Sequence, residues 1–266
     1  MHYSNLHTHS TFSDGAHTLE ENILSAIEKG MESLGFSDHS YTPCDTSYCM
    51  QLERYGEYLE SIGRLKKKYA GMLPIFAGVE LDACFDGDHS GFDYTIAGVH
   101  YLIKDGVCYP IDHCPEMQEQ CIAQAFGGDV LAMAQCYFEL LAEHVERVKP
   151  TLVGHCDVIT KFSLMPEEDD RYRQIAERAI RQILQHCKYI ELNTGAITRG
   201  WRKTPYPAGY LLDVIRDRGG RIVLGSDCHH KDYLTSYFDE AVALLREKGF
   251  DRIYVFTGAG FDSRPI

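Results

Sequence analysis

Two histidines separated by one residue, His7 and His9, are the first chemically capable pair in the chain. On an extended strand, residues i and i+2 project from the same face, so both imidazoles can reach one ion. The same residue types then recur: Asp38 and His39, Glu80 and Asp82, His100, His155 and Asp157, Glu191 and Asn193, and finally Asp227, His229 and His230. Each group ends or directly follows a short apolar run. A buried strand gains nothing from a terminal imidazole, so repetition along the chain implies a convergent site. Neutral imidazole and carboxylate are the donors that Zn, Mn and Fe accept. Hydrolysis by a metal-activated water is the chemistry such a centre supports.

The runs that must position these groups are Tyr3 to Leu6, Ser33 to Phe36, Leu73 to Val79, Tyr94 to Val99, Thr151 to Val153, Tyr189 to Leu192, Arg221 to Leu224 and Arg252 to Phe256. Helical patterns separate them. Leu19, Ile23, Leu24 and Ile27 recur at helical spacing behind Thr18, an N-cap with Glu21 three residues on. A longer helix is predicted from Val130, Leu131, Ala134, Tyr137, Phe138, Leu141, Val145 and Val148, ending at Pro150. Alternating strands and helices predict parallel strands closed into a barrel, with the chemistry at the C-terminal strand ends. Two segments break the pattern, about 41–50 and about 104–128, with Pro, Gly, Asp and Cys. They are read as lid-like excursions over the barrel mouth, where substrate-selecting loops lie.

At 266 residues, 44% hydrophobic and 24% charged, the chain fits one domain spanning 1–266. A formal net charge of −13 opposes binding of a long nucleic acid, since no basic stripe replaces condensed counterions. Lys66, Lys67 and Lys68 form the one basic run, read as a solvated helix face. No apolar stretch approaches the roughly 20 residues of a membrane span, and no signal-peptide pattern opens the chain. A cytoplasmic protein is therefore expected. The ten cysteines, spread out and without a CxxC pair, are expected to be reduced thiols, with Cys156 and Cys228 as small buried hydrophobes rather than ligands. His17, His89, His113, His144 and His186, on helices and loops, are read as surface residues. There is no GxxxxGK[ST] loop and no GxSxG elbow. Gly258 and Gly260 are assigned to a terminal turn.

The strings HTHSTFSDG (7–15), SDHS (37–40), GVELD (78–82), GVHYL (98–102), GHCD (154–157), ELNTG (191–195) and GSDCHH (225–230) resemble the ordered motifs of the polymerase-and-histidinol-phosphatase (PHP) family. Its stand-alone histidinol-phosphate phosphatases are the most similar branch. The resemblance implies an α/β fold, a distorted (β/α)7 TIM-like barrel, and three divalent ions (Zn, Mn or Fe). Carried over by position, the first ion takes His7, His9, Glu80 and Asp227. The second takes Glu80, His100 and His155, with Glu80 as bridge. The third takes Asp14, His39 and His229. The implied activity is hydrolysis of a small phosphorylated substrate, histidinol phosphate, to histidinol and phosphate by a metal-bridging hydroxide. Glu80 and Asp227 hold the reactive centre and His230 is a candidate proton donor. Lys161, Arg199 and Arg202 are candidates for the phosphate cradle, since Arg pairs with phosphate in bidentate fashion. Relatives carry an Arg-Lys pair close after the glycine, whereas this loop reads Thr198-Arg199-Gly200. Trp201 is a candidate cover for the apolar part of the substrate, and Asp45, Asp105, Asp112 and Glu116 for its cationic part. Alternatives remain open at this point: a PHP phosphoesterase of nucleotides or other small esters, an amidohydrolase, or a non-catalytic metal-binding module. Oligomeric state is left open.

Overall fold

The computed structural model describes residues 2–85 and 87–266. Eleven strands occur in chain order: β1 (Ser4–Asn5), β2 (Ser33–Phe36), β3 (Ile75–Asp82), β4 (Tyr94–Gly98), β5 (Tyr101–Lys104), β6 (Val107–Pro110), β7 (Leu152–Val153), β8 (Tyr189–Asn193), β9 (Arg221–Gly225), β10 (Arg252–Phe256) and β11 (Phe261–Pro265). The α-helices are α1 (Leu19–Glu28), α2 (Tyr55–Lys68), α3 (Pro115–Gln120), α4 (Val130–Val148), α5 (Asp170–His186), α6 (Gly195–Thr198), α7 (Gly209–Asp217) and α8 (Phe238–Glu247). Seven strands form one sheet in the order β1-β2-β3-β4-β7-β8-β9, every pair parallel. A parallel bridge between Thr8 and Cys228 brings its two edges together, so the sheet is a nearly closed barrel.

Local chemistry explains the main helices. The Thr18 side chain accepts from the Glu21 amide while Glu21 reaches back to the Thr18 amide, the capping box expected from the sequence. Asp129 caps α4 through the amides of Leu131 and Ala132, and Lys149 ends it in the left-handed conformation (φ 47°) just before Pro150. The apolar stripes of α4 and α5, including Tyr137, Phe138, Leu141, Tyr172, Ile180 and Ile183, share one core against the barrel. Burying each such side chain contributes about 1.5–3 kcal/mol.

The barrel interior is filled by Leu6, Tyr94, Ile96, Leu152, Val223 and Phe256. Tyr94 crosses it, donating its hydroxyl to the carbonyls of Leu6 and Phe36. Gly35 and Gly78 make room for that ring: a Cβ on either would lie 2.5 or 2.2 Å from it.

Three sequence expectations need correction. The run at 252–256 is a strand outside the barrel sheet, in an antiparallel hairpin with β11 across the Gly258 turn (φ +87°). Its Phe256 packs edge-on against Phe76, 5.0 Å between centroids, because the open end of the barrel needs an apolar cover. The cysteines are not all thiols: Cys44 and Cys108 are joined, with Cα atoms 5.6 Å apart. They belong to the two excursions, which fold against each other although 64 residues separate them in sequence. Cys156 and Cys228 are free and buried, as expected. His144 is not a surface residue but fully buried, with Nε2 3.0 Å from the Leu81 carbonyl.

Candidate metal centre

The strand ends deliver their polar side chains to one point. Glu80, at the end of β3 and 1% exposed, lies at its middle. Its Oε1 faces His155 Nε2 at 2.8 Å and His100 Nε2 at 3.3 Å. Its Oε2 faces His39 Nδ1 at 3.0 Å, His7 Nε2 at 3.2 Å and His9 Nε2 at 3.6 Å. Asp227 Oδ1 approaches His9 Nε2 at 3.2 Å and His7 Nε2 at 3.6 Å. Asp14 comes from the turn after β1 and meets His229 Nε2 at 3.2 Å and His39 Nε2 at 3.8 Å. Four sets of donor atoms lie within 4.8 Å of one another: His7, His9 and Asp227; His7, Glu80 and His155; His39, Glu80 and His100; and His9, Asp14, His39 and His229. All nine positions carried over from the motifs are thus in one cluster, with Glu80 shared between two sets.

These donors fit metal ions. His7 Nε2, both ring nitrogens of His9 and Glu80 Oε2 are buried and make no hydrogen bond. Each such atom costs about 1–3 kcal/mol unless something satisfies it, and a cation among His7 Nε2, His9 Nε2 and Glu80 Oε2 would satisfy those three together. Asp227 takes up a left-handed backbone (φ 48°), uncommon for a residue with a side chain, to aim its carboxylate inward.

Behind the cluster lies a ring of acceptors that the sequence reading left without roles. Asp82 Oδ2 accepts from the backbone of His100 at 3.0 Å and lies 2.8 Å from its Nδ1. Glu191 Oε1 lies 2.8 Å from His7 Nδ1. Asp38 accepts from the amides and hydroxyls of Ser10 and Ser13, which tethers the loop carrying Asp14. Their sequence signal is position: Asp38 sits beside His39 and Asp82 two residues from Glu80, whereas Glu191 shares with the ligands only its place at the end of an apolar run.

Charge in the site is sharply divided. Burial disfavours a charged His7, but Glu191, Glu80 and Asp227 outweigh it and hold its pKa well above the ordinary 6.5. His100 is likewise raised, by Glu80 and Asp82 against burial, and His229 by Asp14. His9 goes the other way, pushed down to about 3 by burial and by His229 and His39 alongside. Burial opposes ionisation of Glu80 and Asp227, yet the surrounding imidazoles and Arg199 keep both well below the usual carboxylate range.

The family model for the PHP domain matches residues 5–195. The chain belongs to the PHP family. Among curated proteins it is similar to a probable histidinol-phosphatase of Schizosaccharomyces pombe, 27% identical over 239 residues (79% of this chain, 74% of the relative). It is also similar to a probable histidinol-phosphatase of Deinococcus radiodurans, 28% identical over 250 residues (87% and 88%). Among solved structures it shares its fold with a histidinol phosphate phosphatase of Lactococcus lactis complexed with Zn, L-histidinol and phosphate. The TM-score is 0.70 at 23% identity, covering 98% of each chain.

In this PHP chain a cavity of about 430 Å³ opens directly over Asp14, His39, His100, Asp227 and His229. Of the basic candidates, Arg199 and Lys161 line it. Arg199 donates to Asp227 Oδ2 at 2.8 Å and to its carbonyl at 3.0 Å. Lys161 donates to the Asp112 carbonyl at 2.5 Å, which draws it towards the lid. Arg202 is not brought to the cavity: its guanidinium is fixed by Glu167 (2.9 and 3.1 Å) and the Thr160 carbonyl. His230 is also elsewhere, its ring 4.3 Å from His17 and 5.5 Å from Tyr233 by centroids. Trp201 packs edge-on with Phe162, 45% exposed and away from the cavity lining. From the two excursions, Asp45, Tyr48, Asp112 and His113 line the mouth, whereas Asp105 and Glu116 are exposed outside it. No described helix is long and apolar enough to cross a membrane.

Proposed function

We propose that this chain is a metal-dependent phosphomonoesterase that hydrolyses histidinol phosphate to histidinol and phosphate. The observation that carries the reading is that Arg199 and the outer members of the imidazole–carboxylate cluster, Asp14, His39, His100, Asp227 and His229, line one cavity whose rim is acidic. The similarity to proteins named histidinol-phosphatases supports the substrate.

Three divalent ions, the number and kinds the motifs imply (Zn, Mn or Fe), would be held by His7, His9 and Asp227, by His100 and His155 with Glu80 shared, and by Asp14, His39 and His229. Bound divalent ions neutralise an ester dianion and acidify a water from a pKa of about 15.7 towards about 7. The chain's own residues do the rest. Arg199, anchored by one bond from each η nitrogen to Asp227, lines the cavity and keeps its remaining N–H groups for non-bridging phosphate oxygens. Asp82 and Asp38 hold the donor side chains and loop at fixed distances, so little reorganisation is required when the ester arrives. At the rim, Asp45 and Asp112 complement the ammonium of an amino-alcohol ester, and the rings of Tyr48 and His113 face its imidazole. Partly buried His230 lies outside the cavity lining, so protonation of the leaving oxygen is assigned to solvent in the cavity.

The test is phosphate release by metal-replete protein from histidinol phosphate, p-nitrophenyl phosphate and a nucleoside monophosphate, with His9→Ala as control. Preference for histidinol phosphate that the control abolishes is expected. Equal or greater turnover of the nucleotide would overturn the substrate, and absence of metal-dependent turnover on all three would overturn the reaction class.

A further inference from the structure

One buried carboxylate under the cluster belongs to none of the candidate ion sets. Glu191, on β8, is 0% exposed. Its Oε2 accepts from the His155 amide at 2.9 Å and from Asn193 Nδ2 at 2.8 Å. Asn193 is itself fixed, its Oδ1 accepting from the Gly195 amide at 2.8 Å. Oε1 is left facing His7 Nδ1 at 2.8 Å.

The neighbouring strands are shaped around this carboxylate. A Cβ on Gly225 of β9 would lie 1.8 Å from Glu191 Oε1 and 2.6 Å from its Cδ. A Cβ on Gly154, just after β7, would stand 3.4 Å from Oε2 and 3.5 Å from His7 Cε1. The glycine at 225 is thus what lets a charged head occupy the barrel interior beneath His7, while position 154 leaves it ordinary contact distance.

We propose that Glu191 is a positioning residue that fixes the tautomer of His7: held by two donors, its carboxylate accepts a hydrogen bond from Nδ1–H, which keeps the ring proton there and leaves Nε2 bare for the metal. A carboxylate offers only acceptors, so the proton between Oε1 and Nδ1 sits on the ring. Imidazole ligands are commonly oriented by such an acceptor on their far nitrogen. The inference rests on the reading of the cluster as a metal centre, which zinc uptake by the unaltered protein tests separately.

Glu191→Gln separates this role from one of mere packing. The His155 amide and the Asn193 side-chain amide both donate towards Oε2, so the oxygen of a glutamine must take that position. Its NH₂ then faces His7 Nδ1 and donates to it, which forces the ring proton onto Nε2 and blocks the ligating nitrogen. Size and burial barely change, while the instruction to His7 is reversed.

The experiment is zinc titration of chelator-treated wild type and Glu191→Gln, with the melting temperature of each metal-free protein and long-range ¹H–¹⁵N spectra of the zinc-loaded wild type. Expected are a zinc affinity about 10- to 100-fold lower in the variant, a metal-free melting temperature close to wild type, and His7 protonated at Nδ1 in the loaded wild type. A variant affinity within about twofold of wild type, given the usual spread for outer contacts of about 10–100-fold, overturns the role. So does a loaded wild type in which His7 carries its proton on Nε2, a readout that stands even where the variant does not fold. Wild type that takes up no zinc overturns the metal reading and this inference together.

Discussion

Metal uptake by this centre is expected to release protons. His7, His100 and His229 are each held above the ordinary imidazole pKa of 6.5 by the carboxylates around them, against the effect of burial. A metal takes only a bare nitrogen lone pair, so at neutral pH it must displace those protons. His9, already pushed down to about 3, contributes none. Full loading therefore releases up to three protons, and at about 1.36 kcal/mol per proton per pH unit the centre gains about 4 kcal/mol of binding free energy for each unit of rising pH. This dependence holds wherever pH lies below the raised values and fades as pH rises through them; 6.5 marks only where the unfolded chain titrates. Stability of the metal-free protein moves in the opposite sense. A raised folded-state pKa contributes stability that is fully present below the unfolded value and is lost as pH rises through the folded one. The melting-temperature gap between loaded and chelator-treated protein should accordingly widen from pH 6.5 to 7.5. Calorimetric titration in two buffers of different ionisation enthalpy counts the protons directly. A count of zero, with an affinity constant across that range, would refute the account of how these imidazoles are charged.

Other residues separate function from support. Arg199→Ala should keep its metals but lose about 10- to 100-fold in kcat/KM on histidinol phosphate, the equivalent of about 1.5–3 kcal/mol for charge-assisted bonds; steady-state kinetics with metal analysis checks this. Arg202→Ala should lower stability by about 1–3 kcal/mol, since the Glu167 carboxylate loses its two bonds and the Thr160 carbonyl keeps only the Ser163 amide, while KM stays unchanged; denaturant unfolding beside the same kinetics decides. His230→Ala should leave turnover unchanged, and a large fall in kcat would restore it as a proton donor.

The centre was legible because its ligands are tied to strand ends, where order along the chain becomes proximity in space. His7 and His9, Glu80, His155 and Asp227 needed no knowledge of side-chain packing to be grouped. What escaped depends on packing between distant segments. Arg202 is read from sequence as a phosphate ligand because it is basic and near a glycine loop, but Glu167, 35 residues earlier, claims it. The joining of Cys44 to Cys108 depends on two irregular excursions meeting, which no periodicity encodes. Glu191 was visible as one more strand-end acid. That it stands beneath the ring of ligands rather than among them depends on Gly225, whose missing side chain carries no signal until the barrel is assembled.

The filled barrel has a consequence for traffic. Below the cluster, Tyr94 crosses the interior and Phe256 covers the far end, so the cavity over the candidate metal ligands communicates with solvent on the side of the two excursions. Cys44 and Cys108 clasp the two lid segments there, beside Asp45 and Pro110 of the rim. An ester seated as proposed, with its phosphate on the cavity floor, has its alcohol half nearer the rim. Release of the alcohol before the phosphate is then the order expected from the shape of the well, a stack in which the last part in is the first part out.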